Sequence, residues 1–373
     1  MIKNTMKIVY LVPRLNNAGP VNQMYSLIAN IDRSRYKPYV ITMYYELENS
    51  RKNEFEKLRI PIRSLELKYK YFNISDVHRL NKLIKQIQPD IVHSETLPAD
   101  ILVSKIKRNF KWCTTIHCNI YTDYKLRFSN NMAKLMIYFH NNCLKKVDKL
   151  ISCSNTLEKI YSQQGLENIA IPNGVDVSKY HMDNGRIYWR NKLNLPQNKK
   201  IIIVVGSIDH RKRSLFIIKA IKNYIREEAI KLIFCGEGKD IEKCKEEAKG
   251  YDIEFRGQIE DIVPYLNAVD LYLSASCSEG LPMSVVEAGC CGLPMVLSDI
   301  EQHKEIINIG KDIRGVKFAL LDNEQSFVDA IREVMCKTVD KKEIADYFQD
   351  TFSGVVMAYN YENVYWNIGK EPI

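Results

Sequence analysis

Short runs of apolar, mostly β-branched or aromatic residues alternate along this chain with stretches whose apolar positions recur every three to four residues. The runs KIVYLVPRL, PYVITMYY (38–45), PIRSLEL (61–67), DIVHSE (90–95) and WCTTIHCNIY (112–121) are short and largely apolar. That character predicts strands of a parallel sheet, covered on both faces. Between them VNQMYSLIANI and the amphipathic DVHRLNKLIKQIQ (76–88) predict helices. After IPNGVD, where Asn173-Gly174 is a turn dipeptide whose proline neighbour suits a hinge, the alternation starts again. It runs through KKIIIVVGSIDHRKRSLFIIKAI, KLIFCGEGKD (231–240), IEFRGQI (253–259), AVDLYLSAS, GLPMVLSD and GVKFALLD. Strand and helix in strict alternation predict an α/β protein with doubly wound sheets. The restart predicts two domains, residues 1–170 and 171–352, followed by a tail (about 353–373) with apolar and aromatic residues at helical spacing.

Three strand-to-helix junctions carry candidate chemistry. In SASCSEGLPMSVVEAG a strand ends, a loop holds Glu279 and Gly280, and a helix is expected to start at Pro282, since proline favours the first helical position. The first-turn amides of Met283, Ser284 and Val285 would then lack partners and face the loop, a spot that suits a phosphate. Glu279 and Glu287 bracket it, and a fixed carboxylate beside a phosphate site accepts hydrogen bonds naturally from sugar hydroxyls. The second junction places Arg211, Lys212 and Arg213 where a helix N-terminus disfavours cations, so an anion is called for. The third is NNAGP (16–20), where Gly19 leaves room for loop amides to approach a ligand. His117 directly follows a strand, the end at which doubly wound sheets bind ligands. A histidine there also serves as a local hydrogen-bonding residue.

Glu279-Gly280, seven residues from Gly280 to Val286, then Glu287-Ala288-Gly289 and Gly292-Leu293-Pro294 resemble the signature of family 4 retaining glycosyltransferases, which have the GT-B fold. The resemblance implies two Rossmann-like domains facing each other across a cleft, the first binding the acceptor and the second a nucleoside-diphosphate sugar. The terminal helix would pack back on the first domain. By the same resemblance Glu287 binds the ribose hydroxyls, Glu279 and His117 hold the donor sugar, Lys212 binds the diphosphate, and the backbone at Arg256-Gly257 meets the nucleobase. Gly19 matches the first glycine-rich loop, with Ala18 in place of its partner glycine. Ser207 stands where the family usually has arginine, which leaves open whether Arg211 makes that contact. Met283, Ser284 and Gly280 complete the donor set, with Pro282 where glycine is commoner. The implied activity is retaining transfer of a hexosyl group from a UDP-sugar to a glycan or lipid-linked acceptor, in bacterial surface polysaccharide (capsule or lipopolysaccharide) synthesis. The alternatives are a catalytically silent partner protein of the same fold and a nucleotide-sugar epimerase.

At 373 residues, 46% hydrophobic and 27% charged, the chain is long enough for two full cores. The longest uncharged stretch, LNNAGPVNQMYSLIANI (15–31), is too polar to span a membrane, and IVYLVP (8–13) is too short for a signal-peptide core. Ten cysteines without Cys-x-x-Cys spacing are expected as buried thiols in a reducing, cytoplasmic setting. No Asp-x-Asp occurs, so no metal is expected, nor any cofactor beyond the nucleotide-sugar co-substrate. Gly236-x-Gly238 lacks the third glycine of the dinucleotide fingerprint, which weighs against an oxidoreductase. The net charge of +9 is uneven: residues 1–172 hold 27 Lys+Arg against 14 Asp+Glu, the remainder 27 against 31. The basic half is either a solvated face or a peripheral contact with the anionic inner face of the membrane. No nucleic-acid recognition motif accompanies it.

Overall fold

In the computed structural model, which describes residues 5–48, 50–68, 73–183, 185–307 and 313–370, the apolar runs form two separate sheets in which every strand pair is parallel. One unit takes the chain up to Gly174 together with the segment from Gly354 onward; the other is Val175–Ser353.

The first unit is built on β1 (Met6–Val12), β2 (Tyr36–Tyr44), β3 (Ile62–Leu67), β4 (Ile91–Ser94), β5 (Lys111–Ile116), β6 (Lys149–Ser152) and β7 (Asn168–Ala170), in the order β3-β2-β1-β4-β5-β6-β7. Alternation along β1 explains why it reads as continuously apolar. Ile8, Tyr10 and Val12 enter one core, with the helices Gly19–Asn30 and Gly354–Lys370. Val9 and Leu11 enter the other, with Leu80, Leu102 and Trp112. The helix Gly354–Lys370 presents Met357, Tyr361, Val364, Tyr365 and Ile368 to the first of these cores, at helical spacing. Its two buried tyrosines are also hydrogen-bonded, Tyr361 to Thr115 Oγ1 at 2.9 Å and Tyr365 to Tyr10 at 3.2 Å. Burying each apolar side chain of this face, Met357, Val364 or Ile368, contributes about 1.5–3 kcal/mol.

The second unit is built on β8 (Ile201–Val205), β9 (Lys231–Cys235), β10 (Ile253–Phe255), β11 (Leu271–Ser274), β12 (Met295–Ser298) and β13 (Val316–Ala319), in the order β10-β9-β8-β11-β12-β13. Ile202, Val204, Leu232, Phe234, Leu271 and Leu273 meet the helix Ser214–Glu227 in its core. In each sheet the strand order reverses direction once, between β1 and β4 and between β8 and β11. The crevice outside the carboxyl ends of such a strand pair is where doubly wound sheets hold ligands.

The expectation of uniformly buried thiols needs correction. All ten cysteines are free, but Cys118 and Cys277 are half-buried and Cys336 is exposed.

Candidate active site

The reversal in the second sheet brings the loop after β8 against the loop after β11. Gly206 leaves β8 with φ +135°, and Lys212 lies so close over it that a Cβ there would stand 3.0 Å from the lysine Cε. Asp209 shapes the intervening turn, accepting from Ser207 Oγ at 2.8 Å and from the Lys212 amide at 3.0 Å. The helix starts at Ser214 and Arg213 caps it in the left-handed conformation, so the three cations precede the helix. They also diverge, Arg213 pairing with Asp322 while Arg211 and Lys212 turn to Glu279.

Glu279 is the anion those cations require. Its Oε2 lies 2.6 Å from Arg211 Nη1 and its Oε1 lies 2.7 Å from Lys212 Nζ. Arg211 also donates to the Ser278 carbonyl at 3.0 Å, and the Cys277 amide donates back to the Arg211 carbonyl at 3.0 Å. Burial pushes the Glu279 carboxyl up, but Lys212 and then Arg211 more than reverse this and hold it at about 2. Two cations thus share the one carboxylate of Glu279 at the end of β11.

The helix beyond this loop runs Met283–Cys290, with Pro282 as its N-cap at ψ 85°. Two expectations are thereby corrected. Pro282 precedes the first helical residue, and the Val285 amide is already used, donating to the Pro282 carbonyl at 2.9 Å. Among the described residues no acceptor takes the Met283 and Ser284 amides, which remain the open donors beside Gly280. Tyr272 donates to Ser284 Oγ at 2.8 Å. Glu287, further along the helix, is hydrogen-bonded by the Tyr180 hydroxyl; burial first, then this carboxylate, push that phenol pKa up.

Arg256 and Gly257 lie just beyond β10. The Arg256 side chain turns to Glu254, Nε to Oε1 2.6 Å, while its amide donates to the Phe234 carbonyl at 2.9 Å. Gly257 accepts from the Gly236 amide at 2.7 Å. The Gly236-x-Gly238 pair therefore serves backbone packing: a Cβ on Gly236, whose φ is +148°, would fall 1.9 Å from the Gly206 carbonyl oxygen.

The first unit supplies its own constellation at the ends of β1, β4 and β5. Gly19 is the first residue of the helix Gly19–Asn30; its φ is not positive and a Cβ there would meet nothing within 4 Å. The glycine thus leaves open space, and no backbone strain demands it. His117 Nε2 lies 2.7 Å from Glu95 Oε2, while its buried Nδ1 has no partner among the described residues. Glu95 is fully buried just after β4, its amide donating to the Leu11 carbonyl at 3.2 Å. Its other oxygen is 3.5 Å from His93 Nε2. Burial lowers the His93 pKa, and that ring hydrogen-bonds Tyr365 and Thr115 at 2.7 and 2.8 Å.

Three contributors escape the sequence reading: Glu95, Tyr180 and His303. Glu95 carried a signal, being the residue after a strand at the sheet's switch point. His303 is buried and held by the Ser298 carbonyl at 2.9 Å, close enough to Glu279 and Lys212 to feel both charges. Nothing local in the sequence marks it or Tyr180.

Two family models match this chain, one described as Glycosyltransferase Family 4 over residues 18–179 and one as Glycosyl transferases group 1 over residues 199–337. The chain belongs to the family 4 glycosyltransferases. This glycosyltransferase is 26% identical over 384 residues to the O-antigen biosynthesis glycosyltransferase WclY of Escherichia coli, covering 99% of this chain and 100% of the relative. It is 23% identical to the alpha-monoglucosyldiacylglycerol synthase of Streptococcus pneumoniae, covering 87% and 77%. Among solved structures, Anabaena HepE in complex with UDP-glucose superposes with a TM-score of 0.81 at 16% identity, covering 97% and 100%. Sucrose-phosphate synthase from Thermosynechococcus elongatus does so with 0.80 at 15%, covering 97% and 99%. These likenesses establish the GT-B fold.

Proposed function

We propose that this glycosyltransferase moves a hexosyl group from a UDP-sugar, with retention, to a glycan or lipid-linked acceptor in bacterial surface polysaccharide assembly. The observation that carries the reading is the Lys212–Glu279–Arg211 cluster, followed in the chain by a helix whose Met283 and Ser284 amides are open. A diphosphate set there would take the ammonium, the guanidinium and two N–H groups. These donors neutralise charge on the leaving diphosphate as the bond from the anomeric carbon to the phosphate oxygen breaks. The electron pair of that bond departs with the phosphate oxygen. The acceptor hydroxyl attacks from the same side, and its proton passes to the departing phosphate oxygen.

Glu279 and His117 orient the sugar hydroxyls, Glu287 holds the ribose, and the backbone at Arg256 meets the base; Ser207 and Gly19 border the phosphate loops. Two cations supply the charge that a divalent ion supplies in other transferases, so the proposed chemistry needs no metal and no cofactor beyond the nucleotide sugar. Support for UDP comes from HepE, solved with UDP-glucose, and support for a surface-glycan acceptor from the O-antigen name of the E. coli relative. The proposed location is the cytoplasm, at the inner face of the membrane. Among the described residues no helix is long and apolar enough to cross it.

Thermal-shift measurements with UDP, GDP, ADP and their sugars, EDTA present, test the reading. Stabilisation by the uridine series alone, lost in Glu287→Ala, is the expected result, and NMR of the product should give the donor's anomeric configuration. No shift with any nucleotide would overturn the reading in favour of a silent partner protein. A product differing from the donor only in sugar configuration would make it an epimerase.

A further inference from the structure

Residues 124–147 contain no Asp or Glu, and within them lie the end of the helix Ile120–Arg127 and the whole of the helix Asn130–Leu144. Six large apolar side chains in this stretch, Leu126, Phe128, Met132, Leu135, Tyr138 and Phe139, are 40% to 64% exposed. Single exposed apolar residues are ordinary, but a contiguous set marks an interaction surface. At 100° per residue Met132, Leu135, Tyr138 and Phe139 fall within an arc of about 120° on the second helix. Lys134 and Lys145 fall at one edge of that arc, and Lys125 and Lys146 are exposed nearby.

The helix cannot roll to hide this stripe. Its opposite face buries Ala133, His140, Cys143 and Leu144. His140 is locked by the Asp100 carboxylate at 3.0 Å and the Tyr124 hydroxyl at 2.9 Å, and Asp100 in turn accepts from Ser94 and Thr114 at 2.6 and 2.7 Å. Turning the stripe inward would break this buried network, so the outward orientation is built into the fold.

We propose that this face docks on an anionic membrane surface, with the apolar stripe entering the interface and the lysines meeting lipid headgroups. Charge decides the occupant. Two copies of the face would bring lysines against lysines with no carboxylate between them, whereas anionic lipids complement them. The biological purpose rests on the lipid-linked acceptor proposed above; the binding itself does not.

Co-sedimentation with phosphatidylcholine vesicles, with and without about 30% phosphatidylglycerol, tests it without nucleotide present, because each lysine near such a surface contributes about a fivefold factor in affinity. Binding should require phosphatidylglycerol and weaken with salt. It should fall at least about tenfold in the pair Leu135→Glu/Phe139→Glu and in the pair Lys134→Glu/Lys145→Glu, while both variants keep the wild-type thermal shift with UDP. Absent binding, equal binding to neutral vesicles, or variants that bind like wild type would overturn the proposal. So would a concentration-dependent dimer in light scattering that Leu135→Glu dissociates, since the face would then belong to a second copy. Vesicle binding by a protein that no nucleotide stabilises would leave this face standing and remove the donor site instead.

Discussion

Replacing Glu279 by Gln keeps the shape of the side chain and removes its charge, and its effects on nucleotide binding and on turnover should run in opposite directions. In the unliganded protein Lys212 and Arg211 hold the carboxyl at about 2 against an ordinary 4.5. At roughly 1.4 kcal/mol per pKa unit this is a differential interaction of about 3 kcal/mol, after burial has been overcome. A diphosphate that takes Lys212 and Arg211 competes with the carboxylate for the same donors. Glu279→Gln removes the competitor, so affinity for UDP should rise on the order of tenfold, which corresponds to recovering somewhat under half of that interaction. Turnover should fall by about 100-fold, because a neutral amide replaces the anion that holds the sugar hydroxyls in the transition state. Calorimetric titration with UDP gives the first quantity and steady-state kcat with the matching UDP-sugar the second. Weaker UDP binding in the variant, or a kcat within about twofold of wild type, would refute the competition between carboxylate and diphosphate.

Gly236→Ala would set a methyl 1.9 Å from the Gly206 carbonyl oxygen at a φ of +148°, so it should cost about 3 kcal/mol or more and lower the melting temperature; an unchanged transition would sink this account of the loop contact. His303 is buried and neutral with its pKa lowered to about 4 from 6.5, burial being the main cause, so the unfolded chain takes up the proton first. The stability it contributes is complete above pH 6.5 and should be lost, by about 3 kcal/mol, as pH falls from 6.5 toward about 4. Urea denaturation across that window should be flatter for His303→Gln, and equal slopes would contradict the assignment. Glu95→Gln leaves a neutral acceptor for His117 but removes the carboxylate, and should lower kcat about tenfold with UDP affinity unchanged. Equal losses in both would make Glu95 merely structural.

Much of the fold was legible in the chain because its signals are local. Apolar runs of strand length, helical periodicity and glycine or proline punctuation each act within a window of a few residues, and their alternation implies parallel doubly wound sheets without reference to any distant contact. The same locality exposed Glu279, Glu287, Lys212 and the glycine loops as chemistry placed at strand ends. What the tertiary structure decided was pairing. Three cations in a row called for an anion, yet only the reversal between β8 and β11 determined that Glu279 answers Arg211 and Lys212 while Arg213 turns to Asp322. Glu95 with His117, and Tyr180 with Glu287, are likewise partners chosen by strand order and loop packing. Burial was decided the same way. Met132, Leu135 and Phe139 are as apolar as many core residues, and they face outward because His140, one helical face away, is held by Asp100. Composition and period determine what an element is; which side of it meets solvent, and which charge meets which, depends on contacts between residues far apart in the chain.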